Sequence, residues 1–360
     1  MVQPEKDRTM NEPIEPGSLD MDMDAGIGFP RSLNRTAARL LRTILCFWLV
    51  LSVNFALPRL IPGDPLLLML GQDAAILSQQ DHASLEKEFG LDRSLGRQYL
   101  DYWFDLVRGR IGFSFHRHRP VAELVSEHLR TSLFILLPSF LLALVMASVF
   151  GTLAGWKAGS ATDMGLTTAA MIGHTMPAFL LGMLLLDVFA CRLGWFPLSG
   201  FFPSLSGTGS WGSRMAGVLR YVALPVATLS LVSAAGLFLV MRNAVARSRT
   251  EAYVLYARAM GTAPWRIAFL HVFRNACLPL FTLAGLQLGF VVSGSVLVET
   301  VFSINGMGIL MYEAAMTRDY PVLQGCFLTL TVVVLTVNLL VDVLAGWIDP
   351  RIRTREQRHP

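Results

Sequence analysis

Five stretches of this 360-residue chain, Thr131–Trp156, Met164–Leu186, Tyr221–Met241, Asn275–Val298 and Tyr320–Val341, contain no Asp, Glu, Lys or Arg and are almost wholly apolar. Each has the roughly 20 residues that a helix needs to cross a bilayer. A sixth run, Thr43–Pro58, is short at 16 residues, but Leu40, Leu41 and a snorkelling Arg42 extend it. Such runs constrain the fold more than any other feature, because a backbone in hydrocarbon must satisfy its own hydrogen bonds. With 53% hydrophobic and 16% charged residues, little is left to solvate a globular surface. The expectation is an all-α polytopic membrane protein with six transmembrane helices. The first run lies about forty residues into the sequence with no A-x-A-like site after it, unlike a cleavable signal peptide.

Arginines in the short loops orient the spans. Arg31, Arg35, Arg39 and Arg42 precede the first run, six arginines from Arg242 to Arg274 separate the fourth from the fifth, and Arg351, Arg353, Arg355 and Arg358 follow the last. The positive-inside rule puts all three groups in the cytoplasm, as six spans allow. Residues 1–30, with Pro, Gly, Asp20, Asp22 and Asp24, read as a disordered cytoplasmic tail. Residues 31–58 form a basic elbow and first helix, and 59–130 a small folded cap on the far side. A five-helix core, 131–348, contains the loop 242–275, and 349–360 is a second cytoplasmic tail. The far-side loop 192–220, rich in Gly, Ser and Pro, reads as irregular. The basic residues form no continuous stripe, which argues against nucleic-acid binding. Cys46, Cys191, Cys277 and Cys326 are widely spaced and read as small core residues.

The loop 242–275 is organised. Ser248 and Glu251 have capping-box spacing. Tyr253, Tyr256, Ala257 and Met260 then recur at i, i+3, i+4 and i+7, one stripe of a short helix. Gly261 stands where a helix ends in a left-handed turn, and Thr262 and Pro264 start a second helix, Thr262 as its cap. Two readings fit: an amphipathic elbow on the membrane surface, or a peg for a cleft on a soluble partner. The energy source bears on the choice. Lys6, Lys87 and Lys157 are the only lysines and none follows a glycine, so there is no G-x-x-x-x-G-K-[ST] loop for nucleotide phosphates. Ion coupling calls for paired acids deep in spans, whereas Asp187 and Asp342 each lie near a span end without an obvious partner.

The segment "YARAMG" (256–261) followed by "RNACLP" (274–279) resembles the coupling loop of ABC-importer permease subunits of the dipeptide, oligopeptide and nickel branch. In the same order come "LIPGDP" (60–65), "FGLDRSLGRQYLDYW" (89–103), "RPVAELVSEHLRTSL" (119–133), "MPAFLLG" (176–182), "RLGWFPLSG" (192–200), "VLVETVFSINGMG" (296–308), "RDYPVLQG" (318–325) and "IDPRI" (348–352). The likeness covers roughly residues 40–353. It implies a permease fold in the bacterial inner membrane, both termini cytoplasmic. It also implies a second permease, two cytoplasmic ATPases carrying ATP and Mg, and an external binding protein, with no cofactor on this chain. The resemblance makes Tyr253, Tyr256, Ala257, Arg258, Met260 and Gly261 the ATPase-docking residues. Leu255 and Met260 stand where the branch often has a basic residue, and Asn305 replaces a common proline.

Several polar residues have two readings each. His174 lines a pathway or bonds between helices, as do Asn54, Gln287 and Asn338. Glu299, with Asn305 nearby, belongs to an outer gate or is a solvated interface carboxylate. His116 and His118 have H-x-H spacing, but Arg117 and Arg119 favour a solvated loop over a metal site. Gly285 and Gly289 mark close helix packing, and Pro177, Pro225 and Pro279 kink or begin spans. No HExxH or GxSxG motif supports a membrane enzyme. The principal alternative to the importer subunit is an ion-coupled carrier acting without an ATPase. Short peptides are the first choice of substrate, with nickel retained.

Overall fold

The computed structural model describes residues 35–60, 84, 92–114, 116–198, 210–294 and 296–348. The expected tails at 1–30 and 349–360 and the motif "LIPGDP", apart from Leu60, lie outside these. The chain divides into two units, Met1–Leu45 and Cys46–Pro360, and the contacts described here belong to the second.

Helix α1 is Arg35–Leu60. In the cap, α2 (Leu95–Val107) precedes a hairpin of β1 (Phe113–Ser114) and β2 (Arg119–Pro120), with Phe113 opposite Pro120. Then follow α3 (Val121–Trp156), α4 (Ala161–Thr175), α5 (Ala178–Leu185) with a π-helical continuation Leu186–Arg192, and α6 (Trp211–Ser248). The short α7 is Ala252–Ala259. One turn at Pro264–Arg266 and a π-helical stretch Ile267–Val272 lead directly into α8, Phe273–Gly294. The chain ends with α9 (Val296–Val301), α10 (Met307–Met316) and α11 (Tyr320–Ile348).

Among the described residues four helices are long and apolar enough to cross a membrane: Val121–Trp156, Met215–Ser248, Pro264–Gln287 and Tyr320–Leu340. The second of the five charge-free runs is not one straight helix. It breaks between Thr175 and Ala178 and bends by 105°, so α4 and α5 together count as one further, broken span. Pro177 explains the break, since it disfavours helix at Met176 and cannot donate to the ladder. The first expected span lies in α1, whose apolar portion Leu41–Ala56 is short for a crossing. Pro225 and Pro279 lie inside α6 and α8. The loop expected to be irregular to residue 220 is helical from Trp211.

The most extensive packing joins α3 to α6. It depends on Gly151 and Gly155, where the bare backbone of α3 meets Met241, Arg242 and Val245. Around that seam lies the largest apolar core, containing Ala147, Ala154, Leu237, Met241, Val245, Val254 and Ile267. A second cluster joins α3 to α10 and α11 through Val121, Leu124, Met307, Leu310 and Val322. At about 1.5 Å per residue the 36-residue α3 is ~54 Å long, and it separates the cap at its start from the loop 242–275 at its end. Cys277 and Cys326 are buried; Cys46 and Cys191 are exposed, contrary to their reading as core residues.

Candidate functional site

The loop 242–275 is pinned to the end of α3. Arg249 donates from Nη1 to the carbonyl of Trp156 at 3.0 Å, and the Arg258 guanidinium stands 5.1 Å from the centre of the Trp156 ring. Two turns back, Arg242 binds Asp163 through two hydrogen bonds of 2.9 and 2.6 Å. Asp163 also accepts from the Gly159 amide at 2.9 Å, and its own amide bonds to Ser160, the N-cap of α4. This ion pair, with the carboxylate almost fully buried, went unread in the sequence. The available signal was Ser160 three residues before Asp163 at a helix start.

The capping box expected at Ser248 and Glu251 does not form. Ser248 is the last residue of α6, and Glu251 is the N-cap of α7 without a side-chain cap bond. Local spacing cannot distinguish the end of one helix from the start of the next when they are so close. Thr262 is likewise not a cap; Ala263 takes that position, with Pro264 in the first turn as expected. Gly261 has φ +74, the left-handed value that ends α7.

The expected stripe divides between two faces. Val254, fully buried, and half-buried Ala257 pack into the core. Tyr253, Tyr256 (69% exposed) and Met260 (68%) point outward, as do Leu255 and Trp265. A helix fixed by one buried valine and two arginine anchors thus displays a patch of aromatic and long apolar side chains.

At the other end of α3 the "VETVFSINGMG" segment contains a buried carboxylate. Glu299 is 4% exposed, which removes the solvated reading. It accepts from Ser132 Oγ at 2.9 Å and from the Ile309 amide at 3.0 Å, while Ser132 accepts from the Met307 amide at 2.8 Å. Asn305 lies exposed in the turn before α10. His174 ends α4 with its ring exposed, and Gln287 is half-buried on α8. Asn54 donates from Nδ2 to the Gln324 carbonyl at 3.0 Å, linking α1 to α11. Asp187 is paired with Arg192 at 2.8 Å, a partner not foreseen in the sequence. His116 and His118 sit exposed in the turn of the cap hairpin, and no group of metal-ligating side chains occurs among the described residues. The cap also contains a hollow of about 580 Å³ between α2 and α11, bounded by Tyr102, Asp105, Arg110, Phe113, Pro321 and Gln324.

Residues 147–354 match the family model of binding-protein-dependent transport system inner membrane components. The chain belongs to this family. The matched span runs from the α3–α6 seam through the loop 242–275 to Glu299 and α11, and leaves out Ser132. A di/tripeptide transport system permease protein, DppB, of Pseudomonas aeruginosa is 38% identical, with 89% of this chain and 99% of the relative aligned. The dipeptide permease DppB of Escherichia coli is 32% identical over 84% of this chain and 94% of its own. A probable peptide ABC transporter permease of Sinorhizobium fredii is also 32% identical, over 88% and 97%. The chain is therefore an integral membrane component of an importer, which agrees with its apolar helices and with the family seen in its motifs.

Proposed function

We propose that this chain is a permease subunit of an ATP-driven importer of short peptides and forms half of the translocation pathway. It sits in the bacterial inner membrane with both termini in the cytoplasm. Its partners are a second permease, a different chain, two cytoplasmic ATPases that carry ATP and Mg, and an external substrate-binding protein. The observation that carries this reading is the outward patch of Tyr253, Leu255, Tyr256 and Met260 on a helix anchored to α3 and α6. An apolar helix face presented in this way suits a groove on a soluble protein. Its rigid mounting suits transmission of a rocking motion from that protein to the spans. Peptide as cargo is supported by the relatives, which are permeases of peptide, di/tripeptide and dipeptide transport systems.

The test is purification of the tagged chain from its native membrane in mild detergent, followed by reconstitution with an external binding protein. Stoichiometric recovery of an ATPase and a second permease, with ATP-dependent uptake of alanyl-alanine, is the expected result. A chain that purifies alone, or uptake that survives ATP depletion while the proton gradient persists, would overturn it.

A further inference from the structure

Two polar side chains meet at one point of the apolar core, and the family assignment gives neither a role. His174 lies at the end of α4, just before the 105° bend at Met176–Pro177. Gln287 lies on α8, and its Oε1 is buried with no hydrogen-bond partner among the described residues. Both converge on Gly236 of α6. A Cβ placed there would stand 3.0 Å from Gln287 Nε2 and 3.7 and 3.9 Å from His174 Cε1 and Nδ1. Three helices thus bring an imidazole, a primary amide and a bare stretch of backbone to the same spot.

The surroundings sharpen the problem. Ala235 and Leu237 beside Gly236 are buried and apolar, as is Ala284 one turn before Gln287, so none of these three serves the orphaned oxygen. The His174 ring is exposed alongside Met171 and Ile172. An ionisable ring on a lipid-facing surface within a span is costly, so this one faces water or protein. Irregular backbone at membrane depth, such as the turn at Met176–Pro177, is tolerated where it lines a cavity or is covered by protein. A buried acceptor with no donor is itself costly, and a passing donor would satisfy it.

We infer that His174 and Gln287 form a contact point for the N–H groups of a peptide in transit, with Gly236 letting both side chains lie directly against the α6 backbone. Gln287 Oε1 accepts from a peptide amide or terminal ammonium, and a ring nitrogen of His174 supplies a second polar contact. The inference rests on the peptide-importer reading above.

The experiment uses the complete reconstituted complex, with the exposed Cys46 and Cys191 replaced by serine and His174→Cys introduced. A cationic, membrane-impermeant methanethiosulfonate is the thiol probe, and alanyl-alanine and trialanine are the cargo. The expected result is modification of the new cysteine that blocks uptake, slowed about tenfold by saturating cargo. Gln287→Leu, close in volume and free of the orphaned oxygen, is expected to assemble normally and to lower uptake about tenfold, the scale of one hydrogen bond lost in a dry site. A cysteine that stays unmodified while the complex transports would place His174 against a neighbouring subunit and overturn the inference alone. Modification that cargo does not slow, or full uptake by Gln287→Leu, would do the same. A wild-type complex that takes up neither peptide would overturn the importer reading together with the inference.

Discussion

Ser132, 167 residues from Glu299, donates its hydroxyl proton to that carboxylate at 2.9 Å, and the two side chains together cap a helix that cannot cap itself. The N-cap of α10 is Gly306, which has no side chain to offer, and the first free amides, at Met307 and Ile309, go to Ser132 Oγ and Glu299 Oε2. The glycines of "NGMG" then have a physical reason. A Cβ on Gly306 or Gly308 would collide with the Glu299 carboxylate. The motif fits a buried acid to a helix N-terminus, where negative charge is favoured.

Replacing Glu299 with alanine leaves the Ser132 hydroxyl and the Ile309 amide short of an acceptor inside a closed site. A hydrogen bond to a charged group contributes on the order of 2 kcal/mol. Glu299→Ala is therefore expected to lower the thermal unfolding midpoint in detergent, and Gly306→Ala to do the same by displacing the carboxylate. Glu299→Gln, which keeps one acceptor oxygen, should fall between them and the parent. If all three unfold with the parent, the capping account is wrong.

The Asp163–Arg242 pair is the second buried charge arrangement, joining the start of α4 to the end of α6. Removing Arg242 strands the buried Asp163 carboxylate, at a cost of up to about 3–5 kcal/mol, whereas Arg242, with 28% of its side chain exposed, can turn to water when Asp163 is removed. Asp163→Ala and Arg242→Ala are each expected to reduce the yield of folded chain, and the double variant to be less damaged than the sum of the singles. Unfolding measurements across this double-mutant cycle give the coupling directly. Additive losses would mean that the two side chains act independently.

Periodicity and punctuation carried much of this structure in the sequence. Charge-free runs located the spanning helices, Pro177 the break in the second run, and Gly261 the turn after α7. What stayed hidden depends on distance through space. Asp163 and Arg242 are 79 residues apart, and no local spacing pairs them. Glu299 was visible within its motif, but its burial depends on α3 supplying Ser132. The stripe over Tyr253–Met260 had the right period and yet the inward residue is Val254, because a short helix with apolar residues on two faces does not declare which one is covered. Gly151 and Gly155, which share the four-residue spacing of Gly285 and Gly289, seat α3 on α6, a pairing that again depends on distance through space.

Gly155 and Gly165, ten residues apart on successive helices, yield a comparison. A Cβ at Gly155 would stand 2.5 Å from the Arg242 carbonyl oxygen and 2.8 Å from Val245 Cβ, so α6 would have to move away. Overpacking of this kind costs about 1–3 kcal/mol. At Gly165, inside α4, a Cβ meets nothing within 4 Å, and alanine there gains about 0.5–1 kcal/mol by restricting the unfolded chain. Thermal unfolding should thus move down for Gly155→Ala and up for Gly165→Ala. Equal shifts would refute the close α3–α6 seam.

The patch on α7 can be separated from its mounting by two substitutions five residues apart. Tyr256 is exposed, so Tyr256→Ala should leave the chain's own stability within about 0.5 kcal/mol. If the patch docks an ATPase, the same change removes an aromatic anchor, a loss on the order of 2 kcal/mol in binding. ATPase recovered with the chain, and peptide uptake, would then fall more than about tenfold. Gly261 tests the mounting: it has φ +74, and a Cβ there meets nothing within 4 Å, so any effect of substitution is conformational. A β-branched residue in the left-handed region costs about 1–2 kcal/mol, whereas asparagine visits it readily. Gly261→Val is therefore expected to lower ATPase recovery and uptake, and Gly261→Asn to retain most of both. Equal loss from Val and Asn would mean that close approach of a partner, rather than backbone conformation, requires the glycine. Full recovery with all three variants would remove α7 as the docking element.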